Sequence, residues 1–158
     1  MPADTVELFS YGDGDPRKKN EPPPPAGYGV SVTCGQATTF EICGQITMAT
    51  PAVTTVTQNL AHLVAFMKAC EWATFDPSAR DRPVCLRYEN EYGAMIATGT
   101  WKAKKHKGMA EAAQRAWARL LKAKPEDQVW LRHAGSTHLG SLAARGLAAR
   151  GKGGAVVY

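Results

Sequence analysis

A chain of 158 residues with 44% hydrophobic content can build one compact domain with a real core, and leaves little room for a second. No run reaches the roughly 20 apolar residues of a membrane helix, so no spanning helix is expected. The excess of Lys and Arg gives a formal charge of +5, which suits an anionic partner such as RNA or DNA but is shared by many domains that have none.

The opening "MPADTVELF" runs almost directly into strand-like residues and has the layout of neither a secretory signal nor a transit peptide. Val6 to Phe9 is short, β-leaning and followed by turn residues. The stretch "DGDPRKKNEPPPP", residues 13–25, is polar and proline-rich. It cannot pair in a sheet or continue a helix, and Pro22 to Pro25 should make a stiff extended spacer. Gly27, Tyr28, Gly29, Val30, Val32 and Cys34 give a second strand signal, and Thr38 to Ile46 a third, with Gly35-Gln36 as the reversal between them. Successive strands on short turns argue an antiparallel meander.

From Thr54 the period changes. Leu60, Leu63, Val64, Met67 and Cys70 recur at helical spacing, to about Trp72. Beyond the loop "FDPSARDRP", "VCLRY" reads as a buried fourth strand and Tyr92 to Ala97 as a short helix. Met109, Ala113, Ala116, Trp117, Leu120 and Leu121 mark a helix with an apolar stripe. "QVWLRH" is a fifth strand, on which Trp130 faces away from Val129 and Leu131 and should still be buried if the sheet is covered on both faces. The last helix, about Leu139 to Arg150, ends at Gly151 before a glycine-rich tail, residues 151–158. The order β-β-β-α-β-α-α-β-α predicts an α/β fold over residues 1–158: a mixed five-stranded sheet with helices on both faces.

Cys34, Cys43, Cys70 and Cys85 show no CxxC spacing and sit in or beside apolar segments. They read as buried free thiols, which points to an intracellular, reducing compartment: cytoplasm, nucleus or organelle matrix.

Several strings, taken with that order, resemble the type 1 ribonuclease H domain over nearly the whole chain. "VELFSYGDG" looks like that family's first strand, with Ser10-Tyr11-Gly12-Asp13 where the family has "TDGS". "AGYGV" matches its second strand. "TQNLAHLVAFMKA" resembles its first helix, which carries a Glu just before the leucine that is Leu63 here. "LRYENEYGAMIATGTW" and "VWLRHAG" resemble the fourth strand with its helix and the fifth strand with its His-bearing loop.

The resemblance implies a reaction centre of four carboxylates holding two magnesium ions about 4 Å apart. By position the first falls on Tyr11, the second on His62 and the third on Glu89. The fourth falls on Ala143 when counted ungapped from the fifth strand, or on Arg145 when counted from "LAARG". One acid survives, where hard cations want several anionic oxygens. Tyr11 is then expected to fill the space and offer its hydroxyl to His62 or Glu89. His133 matches the family's loop histidine and, with no metal to serve, is expected to be structural or at the surface; His138 is expected to be solvated. No metal or other cofactor and no small-molecule substrate is expected.

Trp101, Lys102, Lys104, Lys105, His106 and Lys107 concentrate charge beside an aromatic, where the family often contacts a hybrid backbone. The plainer reading is a solvated helix start, and Arg17, Lys18 and Lys19 read as solvated charge. The leading reading is a pseudoenzyme: a catalytically inactive ribonuclease H-like module that binds RNA or RNA–DNA hybrid, or serves as a structural subunit of a ribonucleoprotein or other large assembly. A second is an active hydrolase of the RNA strand of hybrids, with Mg2+ on a rearranged site of Glu89 with Asp13 or Asp15. A third is a protein–protein interaction module that docks through the proline run.

Overall fold

The computed structural model describes every residue except Gln36, and of Thr39 the backbone alone. The expected reversal at Gly35-Gln36 thus lies partly outside the described residues. Gly35 itself adopts φ 67°, a left-handed conformation that glycine tolerates at no steric cost.

Strand β1 (Val6–Asp13) pairs antiparallel with β2 (Ala26–Cys34), and β2 antiparallel with β3 (Ala37–Ile46). On its other side β1 pairs parallel with β4 (Val84–Tyr88), and β4 parallel with β5 (Val129–His133), giving the sheet order β3-β2-β1-β4-β5. Helices α1 (Gln58–Phe75), α2 (Glu91–Ala97), α3 (Lys107–Ala123) and α4 (Leu139–Lys152) complete the predicted order.

Alternation along β1 divides the core. Val6 and Leu8 join Val30, Val32, Val84 and Leu86 against Leu60, Leu63 and Phe66 of α1. Phe9 faces the other way and packs with Ala134 and Ala144. Helix α1 lies between the sheet and helices α2 and α3, so Leu60 to Phe66 is buried without interruption, His62 included. On the opposite face α4 covers β1, β2 and β3. It comes close because β2 presents glycines there: a Cβ on Gly27 would stand 2.1 Å from the Ala148 carbonyl oxygen.

Some expectations need correction. α1 begins at Gln58 rather than Thr54, because the Thr57 hydroxyl accepts the Leu60 N–H at 3.1 Å and caps the helix. It runs on past Trp72 to Phe75. Trp130 is half-buried rather than buried, since β5 is an edge strand and α4 packs on the other half of the sheet. Leu121 is exposed. Helix α4 continues to Lys152 before the tail turns back, where the Cys43 N–H donates to Val157 O at 2.9 Å and closes part of the β3 edge.

All four cysteines are free; Cys43, Cys70 and Cys85 are buried and Cys34 is half-buried beside the Arg82 guanidinium. Burial pushes the Cys85 thiol up to about 11. Among the described residues no helix is long and apolar enough to cross a membrane.

Candidate functional site

Strands β1, β4 and β5 run parallel, so their carboxyl ends share one edge of the sheet. In open α/β sheets that edge is where ligands bind. Tyr11 lies near the end of β1, Glu89 directly follows β4, and His133 ends β5. Helix α1 brings His62 and helix α4 brings Arg145 to the same place.

His62 is held by a backbone contact: the Gly12 N–H donates to its Nδ1 at 3.1 Å. Burial holds the imidazole down at about 4, with Glu89 and Asp13 pulling up and Arg145 pushing down, so the ring is neutral at pH 7. With Nδ1 accepting, Nε2 carries the proton. Tyr11 meets this ring edge to face, with centroids 4.8 Å apart, lies under the Arg145 guanidinium, 4.8 Å from its centroid, and packs on the Phe9, Ala134 and Ala144 cluster. The expected bond from its hydroxyl to His62 or Glu89 is replaced by these ring contacts.

Arg145 grips Glu89 with two donors: Nε to Oε2 at 2.9 Å, and a terminal nitrogen to Oε1. Each oxygen of that carboxylate is thereby engaged, and the guanidinium is held above its ordinary value chiefly by this hydrogen-bonded pair. Of the two candidates for the fourth position, Arg145 joins the cluster. Ala143, two residues earlier, is about 200° away around the helix axis. His133 Nε2 donates to the Glu89 carbonyl at 3.1 Å and its ring meets Tyr88 edge to face. His138 is more than solvated: it stacks on Phe9 at 4.6 Å, and its Nδ1 accepts the Gly140 N–H to cap α4. Replacing Arg145→Ala strips Glu89 of its partner and uncovers Tyr11. The expected loss is about 0.5–1 kcal/mol, seen as a lower urea midpoint with unchanged slope.

No family model and no curated protein matches the sequence. Comparison of the fold gives a clear answer. A ribonuclease H1 isolated from compost by a metagenomic approach aligns over 95% of this chain and 96% of its own, with TM-score 0.69 at 19% identity. Ribonuclease H1 of the halophilic archaeon Halobacterium salinarum aligns over 93% and 96%, with TM-score 0.64 at 20% identity. The RNase H domain of the foamy virus PFV aligns over 93% of each chain, with TM-score 0.63 at 17% identity. The chain has the ribonuclease H-like fold.

That fold implies paired divalent cations, and the donors at this edge do not fit them. A phenol ring, a neutral imidazole whose Nδ1 is already used and a guanidinium surround one carboxylate that is itself ion-paired. The acids proposed to substitute are also engaged, since Lys152 Nζ donates to Asp13 at 3.1 Å and to Asp15 at 3.4 Å. Among the described residues no group of three or more His, Cys, Asp or Glu is placed to hold a metal ion.

A second feature lies at the heads of α1 and α3. A cavity of about 530 Å³ is lined by Thr57, Gln58, Asn59 and Tyr92 together with Trp101, Lys102, Lys104, Lys105 and His106. Lys107 is exposed and lies outside this lining, as the first residue of α3. His106 departs most from a solvated basic loop: it is 7% exposed, and burial, then Lys105, holds it below its ordinary value. Thr57, Gln58, Asn59 and Tyr92 carry no charge and escaped the sequence reading. The signal for the first of them was a threonine three residues ahead of Leu60, where the apolar period starts, a usual N-cap residue at the entry to a helix.

Proposed function

We propose that this chain is a catalytically inactive ribonuclease H-like domain that binds nucleic acid, RNA–DNA hybrid or duplex, through the basic cavity at the heads of α1 and α3. It would hold the nucleic acid as a subunit of a ribonucleoprotein or other large assembly. The observation that carries the reading is the Arg145–Glu89 pair. A guanidinium about 4 Å from a divalent ion would repel it by roughly 8 kcal/mol at an effective dielectric near 20. Glu89, being neutralised by the same group, offers little in return.

Binding rests on different residues. Lys102, Lys104 and Lys105 are exposed, and Trp101, 44% exposed, stands beside them as a flat apolar surface. Such a set contacts phosphates and sugar faces and reads shape more than sequence. The compost enzyme has been solved with an RNA/DNA hybrid, and a foamy viral protease-reverse transcriptase with double-stranded DNA, which supports the same class of ligand here.

The test is a labelled RNA–DNA hybrid incubated with the protein in magnesium or manganese across a salt series. Salt-dependent retention with an intact RNA strand is expected. Cleavage that disappears in Glu89→Gln would overturn the inactive assignment, and no retention at low salt would overturn the binding one.

A further inference from the structure

The proline run, Pro22 to Pro25, belongs neither to the Arg145–Glu89 cluster nor to the lining of the basic cavity. Each of Glu21, Pro22, Pro23 and Pro24 precedes a proline, which disfavours the helical region, and the four rings fix φ. With every described peptide bond trans, the run is a short polyproline II helix. Three residues per turn put Pro22 and Pro25 on one ridge, about 9 Å apart. Both are exposed, whereas Pro23 and Pro24 are half-buried. The ridge that faces solvent is therefore Pro22-x-x-Pro25.

The run is held at both ends. Before it lies a turn with Asn20 at φ 65°, in which the Glu21 N–H donates to Lys18 O at 3.2 Å and Arg17 Nε donates to Glu21 O at 3.0 Å. After it, Ala26 is buried and opens β2. A segment ordered in advance loses little further freedom on binding. Prolines have no N–H, and the carbonyls of Pro22, Pro23 and Pro24 accept no hydrogen bond among the described residues. The run thus offers apolar rings and free acceptors. Cations stand beside it: Arg17, Lys18 and Lys19 are exposed, and a cavity of about 520 Å³ is lined by Arg17 and Lys18 together with Pro22 and Pro24. Of the acids on this cavity, Asp15 is held by Lys152 and Glu21 alone faces the three cations.

We propose that this ridge docks a second protein, in a groove lined by aromatic rings and rimmed by acids, of the kind that SH3 domains present. Aromatic faces would pack on the two exposed proline rings, and a groove Trp N–H or Tyr O–H would donate to the free carbonyls. The acidic rim would meet Arg17, Lys18 and Lys19 and fix the direction of the run. A nucleic acid is drawn by the same cations, but a ridge without donors gives its phosphates nothing to bond. The proposal goes beyond the nucleic-acid reading and stands without it.

The experiment probes an array of purified SH3 and WW domains with the fluorescently labelled full chain and measures each hit by calorimetry. SH3 domains with acidic rims are expected to bind, and Pro22→Ala with Pro25→Ala to weaken that binding by about tenfold or more. Pro23→Ala, off the ridge, should cost much less. Lys18→Ala with Lys19→Ala should weaken binding by about threefold at low salt and less at high salt, as rim charges do. An array on which no SH3 domain binds overturns the proposal, and so does an equal loss for Pro23→Ala and the double proline variant. Lysine variants that lose RNA–DNA hybrid, on a chain that no SH3 domain binds, assign the loop to nucleic acid instead. Should the proline variants not fold, an NMR titration of the wild-type chain with the tightest SH3 domain decides. Amide shifts centred on Lys18 to Glu21 and Ala26 support the docking, and shifts centred elsewhere overturn it.

Discussion

Gly12→Ala is expected to destabilise the domain by about 3–5 kcal/mol, more than most single substitutions and a large part of the roughly 5–15 kcal/mol that holds a domain folded. A Cβ at this position would stand 2.1 Å from the His62 backbone nitrogen and 2.2 Å from the Ala61 carbonyl carbon. Both atoms belong to the backbone of α1, so no rotamer change relieves the clash. The helix cannot retreat either, because α2 and α3 pack on its far side. Separation would also break the bond from the Gly12 N–H to His62, leaving a buried donor and acceptor unpaired. Gly146→Ala is the matched control. There a Cβ meets nothing, and alanine inside exposed helix should gain about 0.5–1 kcal/mol. Equal urea midpoints for Gly12→Ala and wild type would show that α1 does not ride this closely on β1.

The contrast between these two glycines marks what could be read from the chain alone. Element order was legible because each element carries a local signal: β-branched runs closed by turn residues, and apolar periods that switch to helical spacing at Leu60. That order also predicted a mixed five-stranded sheet, but the parallel pairing of β1 with β4 is encoded by no local pattern and is seen only in the structure. Side-chain fates set by distant packing were not legible. "KKHK" looks solvated, yet His106 is buried because two helix ends meet over it. Trp130 alternates correctly but lies on an edge that α4 does not cover. Ala143 and Arg145 could not be separated while the length of the last loop was free, and helix phase separates them at once. Tyr11 was expected to use its hydroxyl, whereas its contacts with His62 and Arg145 are made through the ring, and Glu89 is taken by Arg145.

Replacing Lys102, Lys104 and Lys105 together by alanine should weaken duplex binding by roughly 10²–10³-fold at 0.1 M salt. Each phosphate contact contributes about 0.9 to the slope of log affinity against log salt on B-form DNA, so three contacts removed should flatten that slope by about 2.7. An affinity loss without a change of slope would mean that the lysines act through structure. The fold should not suffer, because all three side chains are exposed and none is held in an ion pair among the described residues. Lys68→Ala is the right comparison. Its ammonium lies near the Tyr28 ring and Glu71, about 14 Å farther along α1 from Asn59 at 1.5 Å per residue. If nucleic acid is drawn merely by the +5 charge of the whole chain, each lysine should count alike and Lys68→Ala should cost one third of the triple change. If the two helix heads and their lysines form the binding surface, Lys68→Ala should leave the slope unchanged. Because the cavity is separate from the Arg145–Glu89 cluster, Arg145→Ala should also leave it unchanged, so that loss of affinity and loss of stability fall on different variants.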